Sequence, residues 1–233
     1  MANDSDVSRA QLLQALRSLA GFLVFIGVAM FLPAGRLDWA RGWMFLAAFF
    51  ALTIPSLVYL RRTNPEIFVA RSRIHGSTKT WDKIILSLLL PSMLLEIVLA
   101  ALDSGRFHWS EVPAWGTALG YAFLALGYLV SVWAYRFNKF AEPGVRVQRE
   151  RGQQVIDRGP YAWIRHPVYL GGLFIAASLP LTLGSWWAFI PAAVGSATLV
   201  LRIVMEERTL RDELEGYRAY TERVRWRLVP RLW

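Results

Sequence analysis

Residues 167–201 read PVYLGGLFIAASLPLTLGSWWAFIPAAVGSATLVL and contain no charged side chain. A helix that crosses a bilayer needs roughly 20 mostly apolar residues, so this stretch is too long for one span and long enough only for a tight pair. Gly184-Ser185-Trp186, near its middle, predicts the turn. Working outward, further uncharged runs cover 18–35, 42–60 and 112–135, and 84–102 is interrupted only by Glu96. With 55% hydrophobic residues and a mean hydropathy of +0.34, the chain reads as all-α: a polytopic membrane bundle of about six helices ending in a helical hairpin and a polar tail.

The net charge of +9 would suit nucleic acid, but its distribution points elsewhere. With six spans and both termini cytoplasmic, every Lys and Arg except Arg36, Arg41 and Arg106 falls on the cytoplasmic side. That is the positive-inside bias. It predicts an integral protein of a bacterial inner membrane, with no nucleic-acid partner and a secondary attraction to anionic lipid headgroups. Trp39, Trp43, Trp109, Trp115, Trp186 and Trp187 fall at expected outer boundaries, and Trp81, Trp133 and Trp163 at inner ones, as interfacial belts would place them. The absence of Cys excludes disulfides, a thiol nucleophile and cysteine metal sites. The three histidines are scattered, and no metal ligand set is expected.

The organisation expected is a single membrane domain, 1–233. Residues 1–10 are polar, and helices follow at about Gln11–Leu32, Trp39–Leu60 (with a kink at Pro55), Lys83–Leu102 and Pro113–Arg136. Arg61–Trp81 reads as a basic loop with Arg71, Arg73 and Lys79. Residues 1–135 thus supply four spans, and 136–233 a long polar segment, the hairpin and the tail. A helix leaving from Val168 is short for a full span. With equal rises of about 1.5 Å per residue, its return partner brings Glu206 level with His166. Two polar clusters distant in sequence then meet at one end of the bundle.

The chemistry open to these clusters follows from residue type. Arg202 and Glu206 are spaced i, i+4 and share a helix face, while Glu207 points about 100° away. A carboxylate there can hold a ribose, an amine or a sulfonium cation. His166 can grip a ligand carboxylate or act as a base. Pro160 and Pro167 fix the backbone around Tyr161 and His166, and Tyr161, Trp163 and Tyr169 can stack on an adenine or face a cation. The bland alternative is a salt-laced helix leaving the membrane, with Glu207–Arg211 an ordinary i, i+4 pair. Glu96 stands apart, because a carboxylate within a span is costly and usually faces the bundle interior. It either binds a cationic group or is an interior hydrogen-bonded Glu.

Gly159-Pro160-Tyr161, Arg165-His166-Pro167-x-Tyr169, Glu206-Glu207-x-x-Leu210 and Gly216-Tyr217-x-x-Tyr220-x-x-x-Val224, in this order, resemble the isoprenylcysteine carboxyl methyltransferase family and its phospholipid methyltransferase relatives. Asn64-Pro65-Glu66 and Trp81-Asp82-Lys83 resemble a looser upstream pattern. The resemblance implies an S-adenosylmethionine-dependent methyltransferase without a Rossmann domain, acting on a lipophilic or lipid-linked acceptor. By position it implies cofactor contacts from Gln148, Gln153, Gln154, Val155 and Ile156, continued by Tyr161, His166, Pro167 and Tyr169, with Glu206 holding the cofactor. Arg202 would face the acceptor's polar head, and Arg136 and Asn138 would help to position it. Glu215 precedes Gly216 where eukaryotic members often carry Phe, so the acceptor stays unnamed. Two rival readings share parts of the pattern. Membrane sterol reductases, which bind NADPH, also carry Arg-His-Pro-x-Tyr, but with a Lys-Tyr-Gly-x-x-Trp stretch where this chain has Leu214–Tyr220. A non-catalytic membrane accessory protein is the other. No feature of the sequence speaks to oligomeric state.

Overall fold

In the computed structural model, residues 21–71 and 74–233 are described; the polar residues 1–10, the expected helix start at Gln11 and the basic Arg73 lie outside them. The described residues form helices and turns with no strand. In chain order they are α1 (Gly21–Ala34), α2 (Ala40–Thr63), α3 (Glu66–Arg71), α4 (Thr80–Ala100), α5 (Ala114–Phe137), α6 (Pro167–Leu183), α7 (Phe189–Glu213) and α8 (Tyr217–Arg223). Four helices are long and apolar enough to cross a membrane: α2, α4 with its extension to Phe107, α5 and α7. The apolar helices α1 and α6 are shorter. The chain is thus a polytopic membrane helical bundle, and α6, at 17 residues, is about 25 Å long at 1.5 Å per residue.

The sequence pattern and the helix ends differ in ways that have local causes. Arg61 and Arg62 do not stop α2, which runs on to Thr63 and ends at Asn64 before Pro65. A residue preceding proline is pushed out of the helical region. Part of the expected 61–81 loop then re-forms as α3 with Glu66 in its first turn, where a carboxylate favours the helix dipole. Beyond Ala100, α4 continues as a π-helix, Ala101–Phe107, which aims Asp103 inward and ends at His108 with φ +53°.

Glycines decide how closely the spans approach. A side chain on Gly120 would meet Leu181 and Thr182 of α6, and one on Gly127 would meet Ile175 and the Gly171 carbonyl. Small residues at such crossings let membrane helices pack backbone to backbone where lipid offers no hydrophobic drive. Gly195 of α7 makes the matching approach to Ser92 of α4. The hairpin turn uses Gly184 at φ +86°, conformationally cheap only for glycine, against the guanidinium of Arg41.

At this turn the bundle is locked by hydrogen bonds. Asp103 accepts from the Ser110 backbone N–H (2.7 Å), the Ser110 hydroxyl (2.5 Å) and the Ser185 hydroxyl (2.6 Å). Arg41 donates to the Thr117 hydroxyl and the Val112 carbonyl, both at 2.9 Å. Trp43, Trp109, Trp115, Trp186 and Trp187 are exposed here as a belt requires, but Trp39 is buried, packed over Gly42 and Gly105 and edge-on to Phe31. Trp39 belongs to the core rather than the belt, because the two glycines leave a slot that its ring fills.

Candidate functional site

The opposite end of the bundle holds a cavity of about 500 Å³. Its polar part is built from the segment between α5 and α6, the start of α6, the end of α7, and α8. Its apolar part runs down between α4, α6 and α7 past Leu86, Leu90, Met93 and Leu199 to Glu96.

The Arg165-His166 junction is held from several sides. The C-terminal tail pairs with it along the backbone, the Arg165 and His166 N–H groups donating to the Trp226 and Arg227 carbonyls, both at 2.9 Å. The buried Arg165 guanidinium donates through Nη1 to the Val224 (2.7 Å) and Arg225 (2.8 Å) carbonyls and through Nε to Glu207 Oε1 (2.5 Å). His166 Nε2 lies 3.2 Å from the same oxygen, and Arg227 Nε donates to Glu207 Oε2 at 2.9 Å. Glu207 is therefore the hub that ties α7 to the start of α6 and to the tail. Its contact with Arg211 exists at 3.7 Å, but it is the weakest of the set. The i, i+4 pair with Arg211, the bland alternative for this helix, is thus the least of the contacts of Glu207.

Glu206 returns to the level of His166, as equal helix rises require, and turns into the cavity. Among the described residues its hydrogen-bond partner is the Tyr169 hydroxyl. The Tyr169 ring stacks on His166 (centroids 5.5 Å, 23°) and carries the Arg202 guanidinium 5.5 Å from its centre. Arg202 lines the cavity as half of an ion pair: it grips Asp82 of α4 bidentately (2.7 and 3.0 Å) and donates to the Pro143 carbonyl at 2.5 Å. Asp82 is fully buried and also accepts from the Val145 N–H (2.7 Å), so the pair staples the 143–145 segment onto α4 and α7.

The remaining expected site residues divide cleanly. Asn138 caps α5 and donates to the Tyr161 hydroxyl at 3.0 Å, while its Oδ1 accepts from the Phe140 N–H at 2.9 Å. Gln148 is buried and donates to the Phe140 carbonyl (2.6 Å), and its N–H reaches Gln153 Oε1 (2.7 Å). Both amides shape the loop whose residues Gln154, Val155 and Ile156 continue the cavity wall. Tyr161 lines the cavity, and its carbonyl accepts the Tyr220 hydroxyl at 2.7 Å. Pro167 is buried at the first position of α6 but lies behind the wall, starting the helix rather than lining the site. Arg136 is exposed, packs over Tyr59 (5.8 Å) and Phe137 (5.6 Å), and does not reach the cavity.

Tyr217 and Tyr220 of α8 join the wall although sequence reasoning assigned them no role there. The Gly216-Tyr217-x-x-Tyr220 spacing was the available signal, since i and i+3 share a helix face. Burial pushes the hydroxyls of Tyr161, Tyr217 and Tyr220 well above the usual tyrosine range, so all three remain proton donors at neutral pH. The Tyr217 hydroxyl is buried without a partner among the described residues. A donor left bare at the wall of a polar cavity, beside a carboxylate with capacity to spare, is a surface ready for a polar ligand. No three His, Cys, Asp or Glu side chains gather as a metal ligand set among the described residues.

No curated protein matches the chain. Within the chain, the stretch from the start of α5 through the cavity loop and hairpin to the end of α7 carries most of this wall. Residues 115–215, Tyr161, His166, Arg202 and Glu206 among them, match the phospholipid methyltransferase family, in agreement with the resemblance read from the motifs.

Proposed function

We propose that the chain is an S-adenosylmethionine-dependent methyltransferase acting on a lipophilic acceptor at the cytoplasmic face of a bacterial inner membrane. The observation that carries this reading is a single cavity whose polar end surrounds Glu206 and whose apolar end reaches into the bundle, with most of its wall drawn from the family-matched residues 115–215. Residues 136–233 would form the cofactor region and 1–135 the supporting spans, with α4 lending the acceptor wall.

The residues present fit the group. S-adenosylmethionine offers hydroxyls and an ammonium that need acceptors, a carboxylate that needs donors, a flat base and a cation. Glu206 supplies the acceptor, the Tyr217 hydroxyl an uncommitted donor, and Tyr161, Tyr169 and His166 flat faces. When bound, the cofactor supplies a methyl group on a sulfonium that is already activated, so the chain need not provide a nucleophile or a metal. Its task is alignment, which contributes roughly 7–11 kcal/mol in favourable cases. Glu207 and the tail hold His166 in place, Asp82 holds Arg202 over Tyr169, and the buried tyrosines exclude water from the polar end. Glu207, the tail and Asp82 thus position; Glu206, Tyr161, His166, Tyr169, Tyr217 and the Gln153–Ile156 segment would be the contacts.

Calorimetric titration of detergent-purified protein with S-adenosylhomocysteine, and with NADPH in parallel, tests the class. Micromolar binding of S-adenosylhomocysteine is expected. Binding of NADPH alone would put a reductase in its place, and binding of neither by folded protein would leave an accessory role.

A further inference from the structure

Four arginines line the cavity, Arg71, Arg146, Arg165 and Arg202, and three of them are committed within the protein. Arg165 is bound to Glu207 and two tail carbonyls, and Arg202 to Asp82 and the Pro143 carbonyl. Arg146 grips Glu142 through two bonds of 2.7 Å and reaches Glu150 at 2.6 Å. Arg71, at the end of α3, pairs with no carboxylate among the described residues. Its one hydrogen bond there runs from Nη1 to the Ala141 carbonyl at 3.5 Å, the outer limit of such a contact. Nearby acids are already taken: Glu142, next to Ala141, by Arg146, and Glu66 of α3 by Arg151 (3.3 Å) and Lys139 (3.6 Å). The Arg71 guanidinium is nonetheless held in place. It lies over the Tyr135 ring, 4.9 Å from its centre, and Tyr135 lines the same cavity. The Asn64 side-chain amide donates to the Tyr135 carbonyl at 2.5 Å, fastening the approach to α3 onto the end of α5, and the buried Ile67 and Ala70 seat α3 itself. An arginine held by its flat face keeps its in-plane N–H donors for another partner.

Resting on the methyltransferase reading, we propose that Arg71 binds the anionic group, a carboxylate or a phosphate, of a ligand held in this cavity. A guanidinium presents five N–H donors in a planar fork that matches two oxygens of such a group, and it brings the opposite charge. A neutral head would leave the charge and most of the donors unanswered. Arg202, which by sequence position would face the acceptor's head, is instead bound to Asp82. Two sources carry the anion: the amino-acid carboxylate of the cofactor and the head of a lipophilic acceptor. Arg71 is placed for either, because it is exposed at the surface and also lines the cavity. Arg136 provides the comparison within the same end of the bundle. It too is exposed, lies over aromatic rings and pairs with no carboxylate among the described residues, but it is not part of the cavity wall.

The test compares wild type, R71Q, R71K and R136Q in maltoside micelles, each checked for folding by its thermal melt. S-adenosylhomocysteine and methylthioadenosine, which lacks the amino-acid carboxylate, are titrated by calorimetry; dodecyl phosphate and dodecanol are measured by equilibrium dialysis. If the anion is the cofactor's, R71Q weakens S-adenosylhomocysteine about tenfold or more, the scale of a charge-assisted pair, and leaves methylthioadenosine unchanged. If it is the acceptor's, S-adenosylhomocysteine is unchanged in R71Q, and the wild-type preference for dodecyl phosphate over dodecanol falls by about the same factor. In either case R71K, which keeps the charge and loses the fork, retains part of the binding, and R136Q behaves as wild type. An R71Q protein that binds all four probes as wild type does overturns the assignment. So does an equal loss of S-adenosylhomocysteine and methylthioadenosine, which would mark a structural role, or an equal effect of R136Q, which would mark the general basic surface. Failure of wild type to bind S-adenosylhomocysteine strikes the methyltransferase reading instead, and the dodecyl phosphate preference then still decides the role of Arg71.

Discussion

Asp103 and Glu96 lie on one continuous helical stretch, are both completely buried, and meet opposite fates. Asp103, at the hairpin-turn end, accepts three hydrogen bonds that fasten the π-helix to the turn and to the loop before α5. Glu96, nearer the cavity end, accepts none among the described residues. The same contrast recurs between adjacent residues of α7. Glu207 is ringed by Arg165, His166 and Arg227, whereas Glu206 faces the cavity with Tyr169 its one hydrogen-bond partner among the described residues. The comparison teaches how to sort buried charge in a membrane bundle. An acid whose lone pairs are filled by the protein holds the architecture, and one with lone pairs to spare beside a cavity is available to a ligand.

The sorting breaks most visibly if a saturated acid proves dispensable. Glu207→Leu leaves the buried Arg165 without its carboxylate and frees the tail; removing one partner of a buried ion pair costs about 3–5 kcal/mol. A large fall in the detergent melting temperature is expected, and an unchanged melt would contradict the hub assignment. At the far end, Asp103→Ala strands the Ser110 N–H and two hydroxyls, each unsatisfied donor costing about 1–3 kcal/mol. Here stability should fall while S-adenosylhomocysteine affinity in the folded fraction stays at the wild-type value. A parallel loss of affinity would mean that the two ends are not separable. The smallest effect sharpens the comparison from the ligand side. Tyr217→Phe removes a hydroxyl that bonds nothing among the described residues, so the melt should hold or rise slightly. If that hydroxyl meets the cofactor, S-adenosylhomocysteine affinity should weaken by about 0.5–1.5 kcal/mol, read by calorimetry.

Much of the bundle could be read in advance because hydropathy is a local property. The described parts of the uncharged runs form helices, the Gly184-Ser185 turn falls where the 167–201 run demands it, and helix rise alone places Glu206 in the same cavity wall as His166. Pairings made through space were hidden. Asp82 and Arg202 are 120 residues apart, and nothing in either neighbourhood announces the other. The tail's clasp on Arg165 and His166 is a backbone pairing that leaves no side-chain pattern. For the same reason Arg202 looked like a free cation for the acceptor, and Glu207 like half of a surface pair. Arg136, expected near the acceptor, faces outward because the last turn of α5 leaves it over Tyr59 and Phe137. Glu96 could be noticed as an oddity, but the emptiness of its surroundings is a property of three packed helices and not of any one of them.

The central claim is that Glu206 faces a ligand while Glu207 beside it holds the fold. The most direct measurement is S-adenosylhomocysteine titration of Glu206→Gln against wild type, with a thermal melt of each sample in the same detergent. Losing one charge-assisted contact should weaken binding by about tenfold or more and leave the melt of the free protein close to wild type. Wild-type affinity in Glu206→Gln, or a melt that collapses as expected for Glu207→Leu, would contradict it.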